Sequence, residues 1–307
     1  GSGYAEAFAD LRDVSRLANG QRDFDRQFES FARVIRRTGV DVAPWGVEAP
    51  MRVFIAATAR ELLPARVLAH SIRCHASASS VITPLCELDL PVPQPRDARH
   101  RARTPFSFQR FLVPQACGHQ GRALYLDSDM LVFRDILPLW RQPFSDAPVL
   151  TVQAGPGDPR PAQTSVMLMD CSRLGWTAQD VVDGLDAGRY DYEALMRDFA
   201  VAPVRAALDP AWNALDRYLP GRTALLHYTD MASQPWVCAT HPLGRLWVRA
   251  LRRAVAEGAI TRAFVEDCVA RGDEAGYLQL NHQFHQLISA GAQNRSLAAM
   301  LSNLRER

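Results

Sequence analysis

The sequence predicts an α/β fold in which a twisted mixed sheet carries helices on both faces. Along the middle of the chain, short apolar runs alternate with stretches whose apolar residues recur at helical spacing, and such alternation is typical of this class. The composition agrees, because 48% of the 307 residues are hydrophobic and 22% are charged. Those values belong to an ordinary globular protein and exclude collagen, a coiled coil and wholesale disorder.

The predicted elements follow one another from the first apolar run onward. Short apolar runs with polar or glycine boundaries predict strands, and longer stretches with helical periodicity predict helices. Strands are predicted at 52–57, 81–85, 123–126, 149–152 and 165–169, and helices at 63–75 and 108–117. Glycines and prolines predict a loop at 155–161.

Helical patterns flank this central region on both sides. Residues 1–50 are predicted to form a helical N-terminal extension, residues 51–241 the core with the sheet, and residues 242–307 a helical C-terminal region. The chain has no initiator methionine, which leaves neighbouring domains in a longer chain open. No apolar run reaches the ~18 residues of a spanning helix, so no transmembrane segment is predicted.

Charge and cysteine content narrow the function classes. The 35 basic residues, all of them arginine, nearly balance 33 acidic ones, and the net charge of +2 does not indicate nucleic-acid binding. Without lysine, neither a lysine Schiff base nor a Walker phosphate loop can form. Six scattered cysteines favour reduced thiols and a cytoplasmic location. The arginine-rich C-terminal helices could lie on the inner face of a membrane, although interleaved acidic residues favour a solvated surface.

Asp127, Ser128 and Asp129 interrupt an apolar strand that resumes directly afterwards. Ligands of open α/β sheets bind at the carboxyl ends of strands. Two carboxylates with one residue between them can share a Mg²⁺ or Mn²⁺ ion, because both ions prefer oxygen ligands and readily bridge to phosphate. A solvated turn is the alternative, but the apolar flanks favour the metal site.

Two histidine motifs differ in what they indicate. His227 follows the apolar run 224–226 and precedes a polar turn, so its neutral imidazole could supply a third ligand to the same ion. A hydrogen-bonded structural histidine is the alternative. His282 and His285 lie on one predicted helix face without an acidic partner, and we interpret them as a surface pair.

A series of short motifs runs in order from residue 52 to residue 240. The two strongest are LYLDSD at 124–129 and HYTDMASQPW at 227–236. The others are RVFIAATARE at 52–61, LAHSIRCHAS at 68–77, TPFSFQRFLVP at 104–114, QTSVMLMD at 163–170, DYEALM at 191–196 and LDPAWN at 208–213. Together they resemble the retaining nucleotide-sugar glycosyltransferases of family 8, a group that includes glycogenin and bacterial lipooligosaccharide galactosyltransferases.

This resemblance implies a GT-A fold, a Rossmann-like twisted sheet in which nucleotide and acceptor regions abut. It also implies that Asp127, Asp129 and His227 hold Mn²⁺ or Mg²⁺ on the diphosphate of a nucleotide sugar. The other donor-binding residues that it implies are Ala56, Ala57, Thr58, Arg60, Arg110, Tyr125, Ser128, Gln163, Thr164, Asp230, Gln234 and Trp236.

The resemblance also bears on catalysis. Arg110 could add guanidinium donors to phosphate or sugar. Asp191 matches a sugar-pocket carboxylate, and either Asp191 or Glu193 is the candidate if a protein nucleophile acts. A front-face reaction within an ion pair needs no such nucleophile.

The sequence departs from the family pattern at several positions. Thr58 stands where the family has an aspartate that contacts the base, which leaves the preference for uridine open. Gln234 stands where the family has a lysine on the diphosphate, so the leaving-group charge must be met by the metal, by arginines or by a helix N-terminus. The sugar-pocket motifs also differ, at Gln163, Ser165 and Tyr192.

The leading hypothesis is a metal-dependent glycosyltransferase that moves a sugar, most simply from a UDP-hexose, to a glycan or lipid-linked acceptor with retention. A metal-dependent phosphohydrolase or nucleotidyltransferase is one rival, but it expects a glycine-rich phosphate loop after the first strand, where none occurs. A non-catalytic carbohydrate-binding module of a larger protein is the other. Three aromatic residues could stack on a base or a sugar, or could belong to the core: Trp212, Tyr228 and Trp236.

Overall fold

A computed structural model describes residues 49–104, 106–154, 164–238 and 240–271. Outside these ranges lie the predicted helices of the N-terminal extension, the whole of the predicted loop at 155–161, Gln163, and the pair His282 and His285. Their predictions are therefore not tested, and neither are the predicted domain boundaries.

A six-stranded sheet with the order β2-β1-β3-β6-β5-β7 forms the centre of the described residues. Neighbouring strands are parallel, except that β6 runs antiparallel to both β3 and β5. The prediction of a mixed sheet flanked by helices is confirmed. The strands are β1 (Met51–Ala56), β2 (Ser80–Pro84), β3 (Arg122–Asp127), β4 (Met130–Val132), β5 (Val149–Val152), β6 (Val166–Asp170), β7 (Val204–Leu208), β8 (Ala214–Leu215) and β9 (Leu225–His227).

Both faces of the large sheet are covered, which explains why its central strands are continuously apolar. Phe54 and Tyr125 belong to a core cluster on one face, together with residues of 106–117. Ile55 and Leu124 belong to a cluster on the other face, which the first helix covers. Burial of each large apolar side chain contributes about 1.5–3 kcal/mol to folding. The edge strand β7 lacks such a run, and for that reason its pattern did not predict a strand.

Helices surround the sheet within the described ranges. They are α1 (Leu62–His75), α2 (Val113–Ala116), α3 (Leu137–Trp140), α4 (Ala178–Asp186), α5 (Tyr192–Arg197), α6 (Gly244–Ala256) and α7 (Arg262–Arg271). The single helix predicted at 108–117 is wrong in detail, because a 3-10 turn at Gln109–Leu112 precedes the short α2. Pro114 has no N–H to donate and is tolerated only in the first turn, so the α-helix begins at Val113.

A small second sheet of β4, β9 and β8 lies beside the end of the large one. Met130 of β4 pairs with His227 of β9 in antiparallel register. The backbone N–H of Tyr228 donates to the carbonyl of Asp129 at 2.8 Å. This pairing joins residues about a hundred positions apart, and it places His227 beside the Asp127–Asp129 motif.

The helix α6 packs against α1 through a third core cluster. Trp247 and Leu251 of α6 are buried with Leu63 and Val67 of α1. Arg245, Arg249 and Arg253 of α6 occupy the opposite, exposed side, as an amphipathic helix requires. Among the described residues, no helix combines the length and apolar content needed to cross a membrane.

Candidate metal and donor site

The Asp-Ser-Asp motif lies at the carboxyl end of β3, in the middle of the sheet. β3 ends at Asp127, and Asp129 precedes β4. The parallel register pairs Asp127 with Ala56, so the loop after β1 begins directly beside the first carboxylate. Both acidic side chains are nearly buried, with exposed fractions of 12% and 13%. Isolated charges would not be stable there, so the site must provide compensating groups.

His227 faces Asp129 in a defined tautomer. Nδ1 of His227 donates to the side-chain oxygen of Asn213 at 3.0 Å, and the amide nitrogen of Asn213 donates to the hydroxyl of Ser165 at 3.1 Å. With its proton on Nδ1, the imidazole directs the lone pair of Nε2 toward Oδ1 of Asp129, 3.1 Å away. Asn213 thus orients the ring as the outer partner of a metal-binding histidine does.

The site has the ligand types of a divalent-cation site, and its buried carboxylates lack full compensation by positive charge. Ligand atoms of Asp127, Asp129 and His227 lie within 4.8 Å of one another, and all three residues are buried. Oδ1 of Asp129 is buried, and while His227 is neutral it accepts no hydrogen bond. It faces the lone pair of the imidazole, and only a proton or a cation between the two atoms relieves that contact. Two carboxylates and one imidazole suit Mn²⁺ or Mg²⁺.

Neighbouring polar groups stabilise Asp127. The hydroxyl of Tyr125 donates to Oδ1 of Asp127 at 2.7 Å, and the Arg110 guanidinium lies 3.8 Å from the same oxygen. Burial raises the pKa of Asp127 above its ordinary range, and the lowering effect of Arg110 does not cancel this shift. The carboxylate therefore gains from a further positive charge at the site.

The protonated form of His227 is also favoured. Burial alone would lower the pKa of His227, but Asp129 and then Asp127 overcome this effect and raise it. A proton and a metal ion thus compete for the same space, since a histidine ligand must be neutral.

Gln234 contacts the same cluster from the loop after β9. Its Nε2 donates to Oδ2 of Asp129 at 2.9 Å and to the carbonyl of Tyr228 at 3.0 Å. The side chain is 7% exposed and does not line the cavity described below. Both of its amide hydrogens are engaged, so this residue orients Asp129 and is not free to bind a phosphate.

A cavity of about 560 Å³ opens in front of the three candidate ligands. That volume is ordinary for a small-molecule site. Its wall combines polar, charged and a few apolar groups: Arg103, Thr104, Phe106, Ser107, Arg110, Thr164, Ser165, Tyr192, Glu193, Met196, Arg197, Thr229 and Met231. Three arginines in one wall can receive an anionic ligand.

Among the catalytic candidates, Arg110 and Glu193 line this cavity and Asp191 does not. Arg110 is buried, donates to the carbonyls of Ser107 and Thr164, each at 3.1 Å, and also contacts the hydroxyl of Thr164. Glu193 forms an ion pair with Arg103. Asp191 is exposed, and its side chain caps α5 by accepting the N–H of Ala194 at 2.7 Å.

Tyr192 occupies the position between these two acids. Its ring is buried against Phe108, with ring centroids 6.1 Å apart. Its hydroxyl accepts the N–H of Arg103 at 3.0 Å and donates to Ser107 at 3.2 Å. Tyr192 therefore helps to fix the cavity wall around the ion pair of Glu193.

The loop after β1 is tied to neighbouring side chains at its start and is exposed further on. The side chain of Gln109 forms two hydrogen bonds with the backbone of Ala57. It accepts the N–H at 2.9 Å and donates to the carbonyl at 2.7 Å. Thr58 contacts Glu61 through both its N–H and its hydroxyl. Arg60 is exposed, and neither it nor the residues from Ala56 to Thr58 line the cavity.

The other sequence-predicted donor residues differ in where they lie. Tyr125 and Ser128 are fully buried, and Thr164 is the one of this group that lines the cavity. Asp230 is exposed and accepts from Ser233 at 2.6 Å in a turn. Trp236 is buried with its ring centroid 5.2 Å from that of Trp247, as part of the third core cluster.

Sequence reasoning missed residues that support the ligands or line the cavity. Asn213 was visible only as the last residue of the LDPAWN motif, where nothing indicated a contact with His227. Arg103, Arg197 and Met231 gave no signal, because arginines and a lone methionine on loops and short helices are common surface residues. The contacts that place them depend on the fold as a whole.

Comparisons with known proteins agree with this fold. No family model matches the chain. Protein CDI of Arabidopsis thaliana is 37% identical over 95 residues, which are 29% of this chain and 36% of that protein, so the match spans about a third of the relative. The galactosyltransferase LgtC, solved with donor and acceptor sugar analogs, gives a TM-score of 0.50 at 14% identity, covering 68% of this chain and all of LgtC.

A second solved structure supports the same assignment. The glycosyltransferase GlyE of Streptococcus pneumoniae gives a TM-score of 0.50 at 15% identity, covering 69% of this chain and 64% of GlyE. The fold is therefore that of the GT-A glycosyltransferases, as the sequence motifs predicted. At such low identity the likeness defines the fold, and the activity must be argued from the site.

Proposed function

We propose that this protein is a glycosyltransferase that uses Mn²⁺ or Mg²⁺ to transfer a hexose from a nucleotide-diphosphate donor, most simply UDP-hexose, to a hydroxyl of a glycan or lipid-linked acceptor. The observation that carries the proposal is the buried cluster of Asp127, Asp129 and His227, which faces a cavity of nucleotide-sugar size. The GT-A fold supports it, because glycosyltransferases such as LgtC share that fold. We place the activity in the cytoplasm, including the inner face of the membrane.

The proposed reaction breaks the bond between the anomeric carbon and the diphosphate oxygen. A new bond joins that carbon to the acceptor oxygen, and the hydroxyl proton leaves with the departing diphosphate or with solvent. Negative charge accumulates on the diphosphate as the bond breaks. A divalent ion held by the Asp-Asp-His cluster would neutralise that charge.

Arginines supply the remaining positive charge. Gln234 is occupied with Asp129, so the lysine contact of the resembled family has no equivalent at that position. Arg103, Arg110 and Arg197 line the cavity instead. Guanidinium groups can bind phosphate with two parallel hydrogen bonds, and their charge persists at every working pH.

Retention of configuration remains part of the proposal through the family resemblance. Of the two acids at the start of α5, Glu193 is the one that lines the cavity, and it forms an ion pair with Arg103. Asp191 points to the helix it caps. We therefore assign Glu193 to the sugar pocket, with attack of the acceptor from the front face and no obligatory protein nucleophile.

The phosphohydrolase alternative finds less support in the loop after β1. That reading needs backbone N–H groups free to cradle a phosphate. Here the N–H of Ala57 is taken by Gln109 and that of Thr58 by Glu61. The loop has no glycine, and its first residues do not face the cavity.

The products of donor cleavage test the proposal and separate it from its rival. Purified protein is incubated with Mn²⁺ and a panel of UDP-, GDP- and CDP-sugars, with water as the surrogate acceptor. A glycosyltransferase releases nucleoside diphosphate and free sugar, whereas a phosphohydrolase releases nucleoside monophosphate and sugar phosphate. We expect the first pair, from one base, and its loss in the double variant Asp127→Asn, Asp129→Asn.

The control is Asp89→Asn, which changes an exposed aspartate elsewhere in the fold. Full activity of that variant would show that removing a carboxylate away from the site does not by itself abolish donor cleavage. Sugar binding without cleavage, unchanged in the double variant, would instead support a carbohydrate-binding module.

A further inference from the structure

A second group of candidate metal ligands lies where α1 meets the end of α6, apart from the cavity. His70 and Cys74 are four positions apart on α1, and Glu257 directly follows α6. Ligand atoms of the three residues lie within 4.8 Å of one another. Residues four apart share one face of a helix, so α1 presents the imidazole and the thiol to the same point.

The imidazole of His70 contacts both of the other groups. Nε2 of His70 is 3.5 Å from Sγ of Cys74 and 2.9 Å from Oε2 of Glu257. Nδ1 of His70 is 3.7 Å from the same sulfur, so Sγ lies beside the imidazole ring. Binding of an ion at Nε2 would therefore require the Cys74 side chain to rotate toward the lone pair of that nitrogen.

A neighbouring arginine orients the carboxylate of this group, and solvent reaches the group from one side. The other oxygen of Glu257, Oε1, accepts from Nε of Arg253 at 2.7 Å, which fixes the direction of the carboxylate. The side chain of His70 is 6% exposed, whereas that of Glu257 is 47% exposed. The group is thus anchored in the core and open to solvent on one side, where a water could complete the coordination.

We propose that His70, Cys74 and Glu257 form a second metal site, selective for Zn²⁺, that ties α1 to the end of α6. The thiolate is a soft ligand that Mn²⁺ and Mg²⁺ do not favour, while zinc accepts sulfur, nitrogen and oxygen together. On binding, the Cys74 thiol releases its proton to solvent and its sulfur bonds to the ion. No electron is transferred.

The proposed ion has a structural role. It would join side chains 187 positions apart in sequence, adding a bond to the apolar contacts between α1 and α6. A ligand that binds only the folded state at free concentration L raises stability by RT ln(1 + L/Kd), so the gain grows with the concentration of free Zn²⁺. The proposal does not depend on the glycosyltransferase activity, because it concerns other residues and a different class of ion.

The test uses the Asp127→Asn, Asp129→Asn variant, so that the first site cannot bind metal. Titration with Co²⁺ as a spectroscopic probe should give a thiolate-to-cobalt charge-transfer absorption at one ion per chain, and Zn²⁺ should displace it. Adding Cys74→Ser should abolish the band and any rise in Tm with Zn²⁺. Adding Cys86→Ser, which changes an exposed cysteine outside the group, should leave both unchanged.

A third variant keeps the test valid if Cys74→Ser does not fold. Glu257→Gln alters a half-exposed side chain and should weaken zinc binding at least about tenfold. The absence of a thiolate band, zinc binding of equal affinity in Cys74→Ser, or unchanged affinity in Glu257→Gln would each overturn the proposal. In that case His70 and Glu257 form an ion pair only.

Discussion

Gln234 donates a hydrogen bond to Oδ2 of Asp129 at 2.9 Å, across a sequence separation of 105 residues. The resembled family has a lysine at this position, directed at the diphosphate. In this protein the amide also binds the carbonyl of Tyr228, so it holds one carboxylate oxygen and leaves Oδ1 facing His227. Gln234 therefore orients Asp129 and brings no charge to the cavity.

Replacement of Gln234 should weaken metal binding without unfolding the protein. In Gln234→Ala the carboxylate of Asp129 loses a fixed donor, and loss of an outer partner of this kind typically lowers metal affinity roughly 10–100-fold. Calorimetric titration with Mn²⁺ measures the change. Gln179→Ala, at an exposed position of α4, is the control, and an equal loss in both variants would contradict the assignment.

Asn213 should prove as important as a direct ligand. It accepts the Nδ1 proton of His227 at 3.0 Å and so leaves Nε2 free to coordinate. We expect Asn213→Ala to bind Mn²⁺ roughly 10–100-fold more weakly, because the ring can then turn or change tautomer. Asn213→Asp retains an acceptor oxygen and should lie closer to the wild type. Equal affinities for wild type and Asn213→Ala would show that the tautomer is fixed by other contacts.

Metal binding should weaken as the pH falls. The pKa of His227 is raised by Asp129 and Asp127 against the effect of burial, and that of Asp127 is raised by burial. Protons therefore compete with the ion at both groups, and we expect Mn²⁺ affinity to drop as the pH falls through the raised pKa of His227 and then that of Asp127. Titrations at several pH values measure it, and a flat profile would contradict proton competition.

The stability of the metal-free protein should show the opposite dependence. Both groups bind a proton more tightly in the folded than in the unfolded state, since both folded pKa values are raised. The contribution of each group is therefore full below its unfolded pKa and is lost as the pH rises through its own folded pKa. Denaturant unfolding with EDTA isolates this term when the double variant Asp127→Asn, Asp129→Asn is subtracted.

The two acids of α5 should separate into a functional and a structural residue. Glu193 lines the cavity, so Glu193→Gln should reduce donor cleavage at least about tenfold with unchanged stability. Asp191 caps the helix, so Asp191→Ala should lower the free energy of unfolding by about 0.5–2 kcal/mol and leave kcat nearly unchanged. Activity measured beside denaturant unfolding distinguishes them, and the reverse pattern would return the catalytic role to Asp191.

Much of the fold could be predicted because local patterns determine it. The buried strands are continuously apolar, and the Asp-Ser-Asp motif follows one of them at its carboxyl end, where ligands of such sheets bind. β7 could not be predicted, because an edge strand with exposed positions lacks that signal. Pro114 could have indicated the late start of α2, since proline is confined to the first turn.

The site was harder to predict, because its support comes from distant segments. Nothing local to Asn213 indicates that it meets His227, and only the pairing of β4 with β9 brings His227 to Asp129. For Trp236 the sequence predicted a ligand contact that the structure does not show. An aromatic residue beside a motif has the same local sequence pattern whether it stacks on a ligand or packs in the core. Trp236 packs on Trp247.

The most direct test of the central claim is a calorimetric titration of the wild type with UDP, GDP and CDP, each with Mn²⁺ and with EDTA. We expect one diphosphate to bind in the presence of Mn²⁺, to lose its binding in EDTA, and to show none in the double variant Asp127→Asn, Asp129→Asn. Binding that is equal with Mn²⁺ and EDTA, or that survives in the double variant, would contradict a metal-dependent donor site at Asp127, Asp129 and His227.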